Sequence, residues 1–369
     1  MILSNLLLLI FASLGGYILS LTGLSIGWLL GSLIITGLLT YLKPAWMQTL
    51  EEQPQQEKTL LSFQHIGQCI IGIELGQKLT TDILFTFQQH WLIIIIMIIG
   101  SIALALCSGL ILWRFGKVDL FTSLFSATPG GLSVMPTLAS EVGVNTAIVS
   151  IVQTIRVFWV LGTIPLLSVY WIPHNPIVSH LKNDPISSPF WTTFLIFIAW
   201  IGYRIGKVLR LPSPWLVGSM ISVALIQALS THYVSNIPTA WWPQWIMVLA
   251  QIFIATSIGC RFSKEMFIGV KQTIIIGLFS SIGLIGISIL CAFFVSSVTN
   301  IPLVTSILAL APGGIAEMTT TAIILQTDAT FVVTVQVIRV LTILGLLPIF
   351  FKFLYEYLHH KRSNVHKTG

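Results

Sequence analysis

Charge is what this chain has least of. Asp, Glu, Lys and Arg make up 8% of its 369 residues, where a soluble domain carries roughly 25%, so there is too little polar side chain to cover a large water-facing surface. Convergent metal ligands are missing as well. Of eight histidines only His65 sits well inside an apolar stretch, while His90, His174, His180, His232, His359, His360 and His366 fall in loops or the tail. No HxxxH or Glu-x-x-His pattern faces a common cavity. A copper or iron oxygenase wants two or three nitrogen ligands converging, so neither a metal nor a cofactor is expected. The four cysteines, Cys69, Cys107, Cys260 and Cys291, lie in or at the ends of apolar stretches without CxxC spacing. They read as small packing residues, with no disulfide framework or zinc site. The net charge of +6 sits in loops and in the tail from His359 to Lys367. It reads as a set of cytoplasmic topology determinants, and no nucleic acid is expected as a partner.

What is present is apolar: 55% of the residues are hydrophobic. Runs such as Asn5 to Ser20, Trp91 to Leu112 and Thr273 to Val295 approach the ~20 residues that cross ~30 Å of hydrocarbon as a helix, and they recur along the whole length. The expected fold is all-α and integral to a lipid bilayer. The opening MILSNLLLLIFASLGGYILS lacks the basic flank of a signal peptide and reads as a retained helix.

The chain is written twice. TPGGLSVM at 128 to 135 returns as APGGIAEM at 311 to 318, an offset of 183 (312 minus 129), and from Pro129 to Pro165 against Pro312 to Pro348 15 of 37 positions are identical. Trp28-Leu29 with Gly31-Ser32 matches Trp215-Leu216 with Gly218-Ser219 at an offset of 187. Half one therefore carries four extra residues, assigned to the polar loop Lys43 to Lys58. The expected units are a first repeat, 1–171, a proline-rich connector, 172–188, and a second repeat with a short basic tail, 189–369. Expected helices run roughly over 5–20, 23–42, 59–79, 90–113, 118–141 and 145–170, then 189–208, 213–230, 244–262, 271–297, 302–326 and 329–357.

Each repeat interrupts an apolar run with Pro-Gly-Gly: Pro129, Gly130 and Gly131, then Pro312, Gly313 and Gly314. Proline removes a donor and pushes the preceding residue out of helix, and glycines permit unusual backbone angles. A broken or re-entrant helix follows. Unpaired backbone at membrane depth is tolerable only inside protein or along a wet cavity, and the restarting helix would aim free N–H groups there, a seat for an anion. Pro-Gly-Gly also serves simple kinking and close packing. Arg156 and Arg339 stand about eleven residues, roughly 16 Å, into the last helix of each half, near mid-membrane. Such an arginine pairs with a carboxylate, with carbonyls freed at the break, or with a ligand. Gln153 and Gln336, three residues earlier, share its face. Glu317, in the first turn after the second break where half one has Val134, either pairs with an arginine or couples transport to a proton or sodium ion. Glu74 is a second coupling candidate, with Lys78 at i, i+4 as the alternative partner. Asn145 and Asp328 read as helix N-caps.

The basic loops, Lys43 with Lys58, Arg114 with Lys117, Arg204 with Lys207 and Arg210, and Arg261 with Lys264 and Lys271, fall on one face with the C-terminal tail if each Pro-Gly-Gly segment enters and returns on one side. That gives ten crossings, inverted repeats of five to six helices each, and both termini in the cytoplasm. Lys78 is the exception. If the broken segments span fully, twelve crossings result.

The doubled region with ATPGGLSVM and APGGIAEMT, each followed by QxxRV, resembles the membrane AbrB family of bacteria over nearly the whole chain. That resemblance implies a bacterial inner-membrane protein, and family members carry the labels ammonia monooxygenase or regulator of gene expression. More remotely, the order of GxxLGQKL, long helix, ATPGG break and closing helix looks like bile-acid/sodium symporters and cation/proton antiporters, and RLPSPWLVGSMI resembles the antiporters' second-helix region. These folds use two broken helices crossing at the midplane. The antiporters' paired aspartates are absent from the breaks here. The expected function is secondary transport of a small, anionic solute, with H⁺ or Na⁺ as the candidate driving ion. A membrane-embedded regulator and an oxygenase are the alternatives, and a homodimer is one of the assemblies left open.

Overall fold

A computed structural model describes residues 2–23, 26–42, 54–78, 81–130, 135, 139, 144–171, 187–231, 239–261, 271–299, 301–343 and 345–346. The described chain is helical apart from a two-residue parallel pairing of Ser187 with Thr239 and Ser188 with Ala240. The first half holds α1 (Ile2–Ser20), α2 (Gly27–Leu42), α3 (Pro54–Lys78), α4 (Thr81–Gly116), α5 (Leu120–Ala127) and α6 (Thr146–Trp171). The second holds α7 (Pro189–Val208), α8 (Pro214–Thr231), α9 (Gln244–Gly259), α10 (Lys271–Thr299), α11 (Leu303–Leu310), α12 (Ile315–Ile324) and α13 (Ala329–Ile343). α4 starts well before the expected residue 90, because nothing between Thr81 and Ile99 is glycine or proline and the polar residues there do not stop a helix. Most of 131–143, the connector and the tail beyond 346 lie outside the described residues.

Equivalent helices meet equivalent partners. α2 packs on α1 as α8 packs on α7, and α3 lies along α8 as α9 lies along α2. α3 touches its own counterpart α9, and α4 touches its counterpart α10. Small residues set these distances. A Cβ on Gly31 would stand 2.1 Å from the Gly15 carbonyl oxygen, and one on Gly218 would stand 2.5 Å from that of Gly202. Both pairs are related by the offset of 187 (202 minus 15, 218 minus 31), so the repeat reaches into the first helix of each half.

The two long helices α4 and α10 meet through a hydrogen bond between the Ser108 and Ser280 hydroxyls. Along their other faces they leave large apolar side chains uncovered, among them Trp91, Ile96, Phe115, Phe279, Leu290 and Phe294. Among the described residues three stretches, Trp91–Gly116, Thr146–Leu167 and Gln272–Thr299, are long and apolar enough to cross a membrane by length and composition. The short broken helices sit behind α4 and α10: α5 packs on α4 and α6, and α11 on α10 and α6.

Candidate functional site: two broken helices at one cavity

Both short helices end at the same dipeptide step. α5 begins at Asp119, whose Oδ2 accepts from the Thr122 N–H at 2.8 Å, and it ends at Thr128, which is extended at φ −72°, ψ 129°. α11 ends at Ala311, extended at φ −51°, ψ 135°. In each case the next residue is proline, whose ring excludes helix from the residue before it. The last carbonyls of both helices are thereby left without intrahelical donors.

The closing helices supply those donors. From α6, Arg156 Nη1 donates to Ala127 O at 2.6 Å, and Nη2 to Gln153 Oε1 at 2.7 Å and Thr128 O at 3.4 Å. Gln153 Nε2 donates to Thr128 O at 2.8 Å and Phe125 O at 3.2 Å. From α13, Arg339 Nη1 donates to Ala311 O at 2.8 Å and Leu310 O at 3.4 Å, and Nη2 to Gly313 O at 3.2 Å and to Gln336 Oε1. Gln336 Nε2 reaches Leu308 O at 3.0 Å and Ala311 O at 3.2 Å. The spacing of three puts glutamine and arginine on one helix face, and the amide orients the guanidinium. Each QxxR pair is thus a cap for a helix that proline has cut. Asn145 and Asp328 start the closing helices as expected, accepting from Ile148 N–H at 3.2 Å and Phe331 N–H at 2.9 Å.

Of the two jobs expected of these glycines, unusual backbone angles or close packing, the described ones do the second. Gly314 is extended at φ −80°, ψ 156°, and Gly23 is the one glycine with positive φ among the described residues. Space is what they provide. A Cβ on Gly130 would lie 2.2 Å from Met135 Sδ, one on Gly313 would lie 2.9 Å from Met318, and one on Gly314 would overlap the Glu317 carboxylate. The repeated Met135/Met318 is the reason for the repeated glycine. Gly131 lies outside the described residues.

Arg156 and Arg339 are only 2% and 1% exposed, and Nε of each has no hydrogen-bond partner. Among the described residues no carboxylate bonds to either, so carbonyl dipoles alone offset two buried positive charges. Beside them, between α4 and α10, lies a cavity of about 570 Å³. Pro129 of one break and Pro312 of the other both line it, together with Arg339, Gly100, Ser101 and Ser288. The rest of the wall is almost wholly aliphatic and aromatic.

The two carboxylates do not join this cavity. Glu317 is buried in the first turn of α12, where its carboxylate faces its own backbone N–H and has Arg261, at the end of α9, within electrostatic reach. Glu74 is half-buried on α3 and outside the cavity lining; the Lys78 side chain lies outside the described residues. His65 stacks on Trp215 with ring centroids 5.3 Å apart. Among the described residues no three His, Cys, Asp or Glu side chains group as metal ligands.

Hydroxyls are what sequence reasoning overlooked. Ser123, Thr305, Ser306 and Thr319 are buried with oxygens that have no partner. Three of them belong to the Thr-Ser pair at 122–123 and 305–306, which repeats at the offset of 183 (305 minus 122). That repetition was the available signal.

An all-helical chain built twice, with a proline-cut helix capped by Gln and Arg in each copy, defines the class. The chain belongs to the family described as "Transition state regulatory protein AbrB", which matches residues 28–355. It is 44% identical to "Uncharacterized protein YhjN" of Bacillus subtilis (strain 168) over 359 residues, covering 95% of this chain and 92% of that protein. It is 25% identical to "Putative regulator AbrB" of Escherichia coli (strain K12) over 294 residues, covering 79% of this chain and 82% of that one. No solved structure gives a significant match.

Proposed function

We propose that this chain is a multi-pass inner-membrane protein of two inverted repeats that transports a small anionic solute through the cavity where its two broken helices meet. One observation carries the reading: Pro129, Pro312 and Arg339 share a single cavity, beside two buried guanidiniums that bond to no carboxylate among the described residues. A buried cation without a counter-ion is costly in a low dielectric, and an anion entering beside it recovers that cost. The uncovered apolar faces of α4 and α10 suit acyl chains and suit water poorly. The reciprocal pairing of helices between the halves supports a two-fold relation, and the basic loops, which share one face when both broken segments are re-entrant, support an axis in the membrane plane. Glu317 and Glu74 are the candidates for coupling to H⁺ or Na⁺. A proton on Glu317 would neutralise a carboxylate buried in the first turn of α12 and so alter the seating of that helix.

The test is uptake of labelled anions by proteoliposomes under an imposed proton or sodium gradient. Flux should vanish in a variant with both Arg156→Met and Arg339→Met that still reconstitutes as monodisperse protein. Flux that survives that change refutes the site. Glu317→Gln should leave exchange intact while removing its dependence on the gradient.

A membrane-embedded regulator is the second reading, favoured by the name of the Escherichia coli relative. Such a protein would alter transcript levels while moving no solute.

A further inference from the structure

The chemistry of the cavity wall narrows the solute, taking the cavity to be its site as proposed above. We infer that the solute is an amphipathic monocarboxylate, its single negative charge set toward Arg339 and its apolar body filling the space between α4 and α10.

A polyvalent oxyanion needs many donors to replace its hydration. The wall has few. The four terminal N–H groups of Arg339 already serve Leu310, Ala311 and Gly313 carbonyls and the Gln336 amide. The forked, bidentate grip that selects phosphate or sulfate is therefore not on offer. The Ser101 hydroxyl donates to Ile98 O at 2.8 Å, which leaves Ser288, the single unpartnered N–H of Arg339 at Nε and the charge of the arginine. A single negative charge is matched by that charge at the cavity edge, and it asks for little else.

The remaining wall asks for hydrocarbon. Ile93, Met97 and Leu104 from α4 face Leu284, Phe294 and Val295 from α10. At about 570 Å³ the space falls within the ~300–1,000 Å³ of pockets that hold small organic ligands. Its flank is formed by Ile96, Leu290 and Phe294, each more than half exposed, which gives an apolar body a path in from the side. Gly100 lines the cavity, and a Cβ there would meet nothing within 4 Å. A side chain at that position grows into the empty space without striking the fold.

The experiment is equilibrium dialysis of the purified full chain in lipid nanodiscs against radiolabelled benzoate, octanoate and oleate, with phosphate and sulfate as competitors. Saturable binding of a monocarboxylate is expected, with little competition from phosphate or sulfate. Gly100→Leu should weaken it at least tenfold. Gly286→Leu, on α10 with equal room around it but outside the cavity lining, should leave it unchanged, and a thermal scan should show both variants folded. Benzoate reaches the site from water and oleate from the bilayer, so the series that binds assigns the source, and either supports the class. Octanoate binding that is indifferent to Gly100→Leu overturns the inference. Phosphate bound stoichiometrically, and lost in Arg339→Met, overturns it while leaving the anion-transport reading standing. If no anion of either class binds, both fall.

Discussion

Replacing Arg339 by methionine tests the capping role of the QxxR pair directly. Methionine keeps the length and apolar stem of the side chain and deletes the guanidinium. Ala311 O would retain Gln336 Nε2 at 3.2 Å, and the Leu310 contact at 3.4 Å is too long to contribute much. Gly313 O, bonded at 3.2 Å, and Gln336 Oε1 would lose the donor the arginine gives them. Each buried acceptor left unsatisfied costs about 1–3 kcal/mol, so the two together cost about 2–6 kcal/mol. Removing a buried charge offsets part of this, leaving a net loss of about 2–4 kcal/mol. Arg339→Lys should lose less, since an ammonium keeps the charge and three donors but not the planar fork. The expected order is wild type, then Arg339→Lys, then Arg339→Met, read from tryptophan fluorescence during thermal unfolding in detergent. Arg339→Met with stability within about 0.5 kcal/mol of wild type, the range of an ordinary surface substitution, would show that the guanidinium caps nothing of consequence.

Glycines should respond to alanine in opposite ways. Gly31→Ala and Gly218→Ala push a methyl group against a carbonyl oxygen 2.1 and 2.5 Å away and should destabilise by about 1–3 kcal/mol or more. Gly283→Ala, with nothing within 4 Å, should stabilise α10 by about 0.5–1 kcal/mol; thermal unfolding reads both signs. Asp328→Ala deletes the oxygen that accepts from Phe331 N–H and should cost about 1 kcal/mol. Asp328→Asn, which keeps that acceptor, should restore most of it.

The helices were legible because the cues for them are local. Asn145 and Asp328 mark the starts of α6 and α13 from their own side chains, and Pro129 and Pro312 mark the ends of α5 and α11 from ring sterics alone. Pairing of Gln with Arg on one face followed from their spacing of three. Carbonyls freed at the break were among the partners the sequence offered Arg339, but the choice among carboxylate, carbonyl and ligand was not legible, because the carbonyls it caps lie 26 to 29 residues away along the chain and backbone acceptors leave no mark on the sequence. Which of the two roles Gly130 and Gly313 play was left undecided for a related reason. A glycine that yields space to a methionine five residues on looks, in sequence, the same as one that needs an unusual φ. Ser123 and Ser306 were passed over because hydroxyls are common in apolar helices, and their lack of a partner appears only once neighbours are placed.

Composition, duplication and the positions of the breaks belong to the sequence by itself: they depend on residue type and on contacts within one or two turns. Tertiary structure decided that the two breaks open on the same cavity, that the arginines hold helix ends rather than carboxylates, and that Glu317 is buried outside the cavity lining. Those outcomes depend on where helices far apart in the chain come to rest against one another. The packing that sets this, glycine against carbonyl and helix against counterpart helix, acts across distances that local periodicity does not encode.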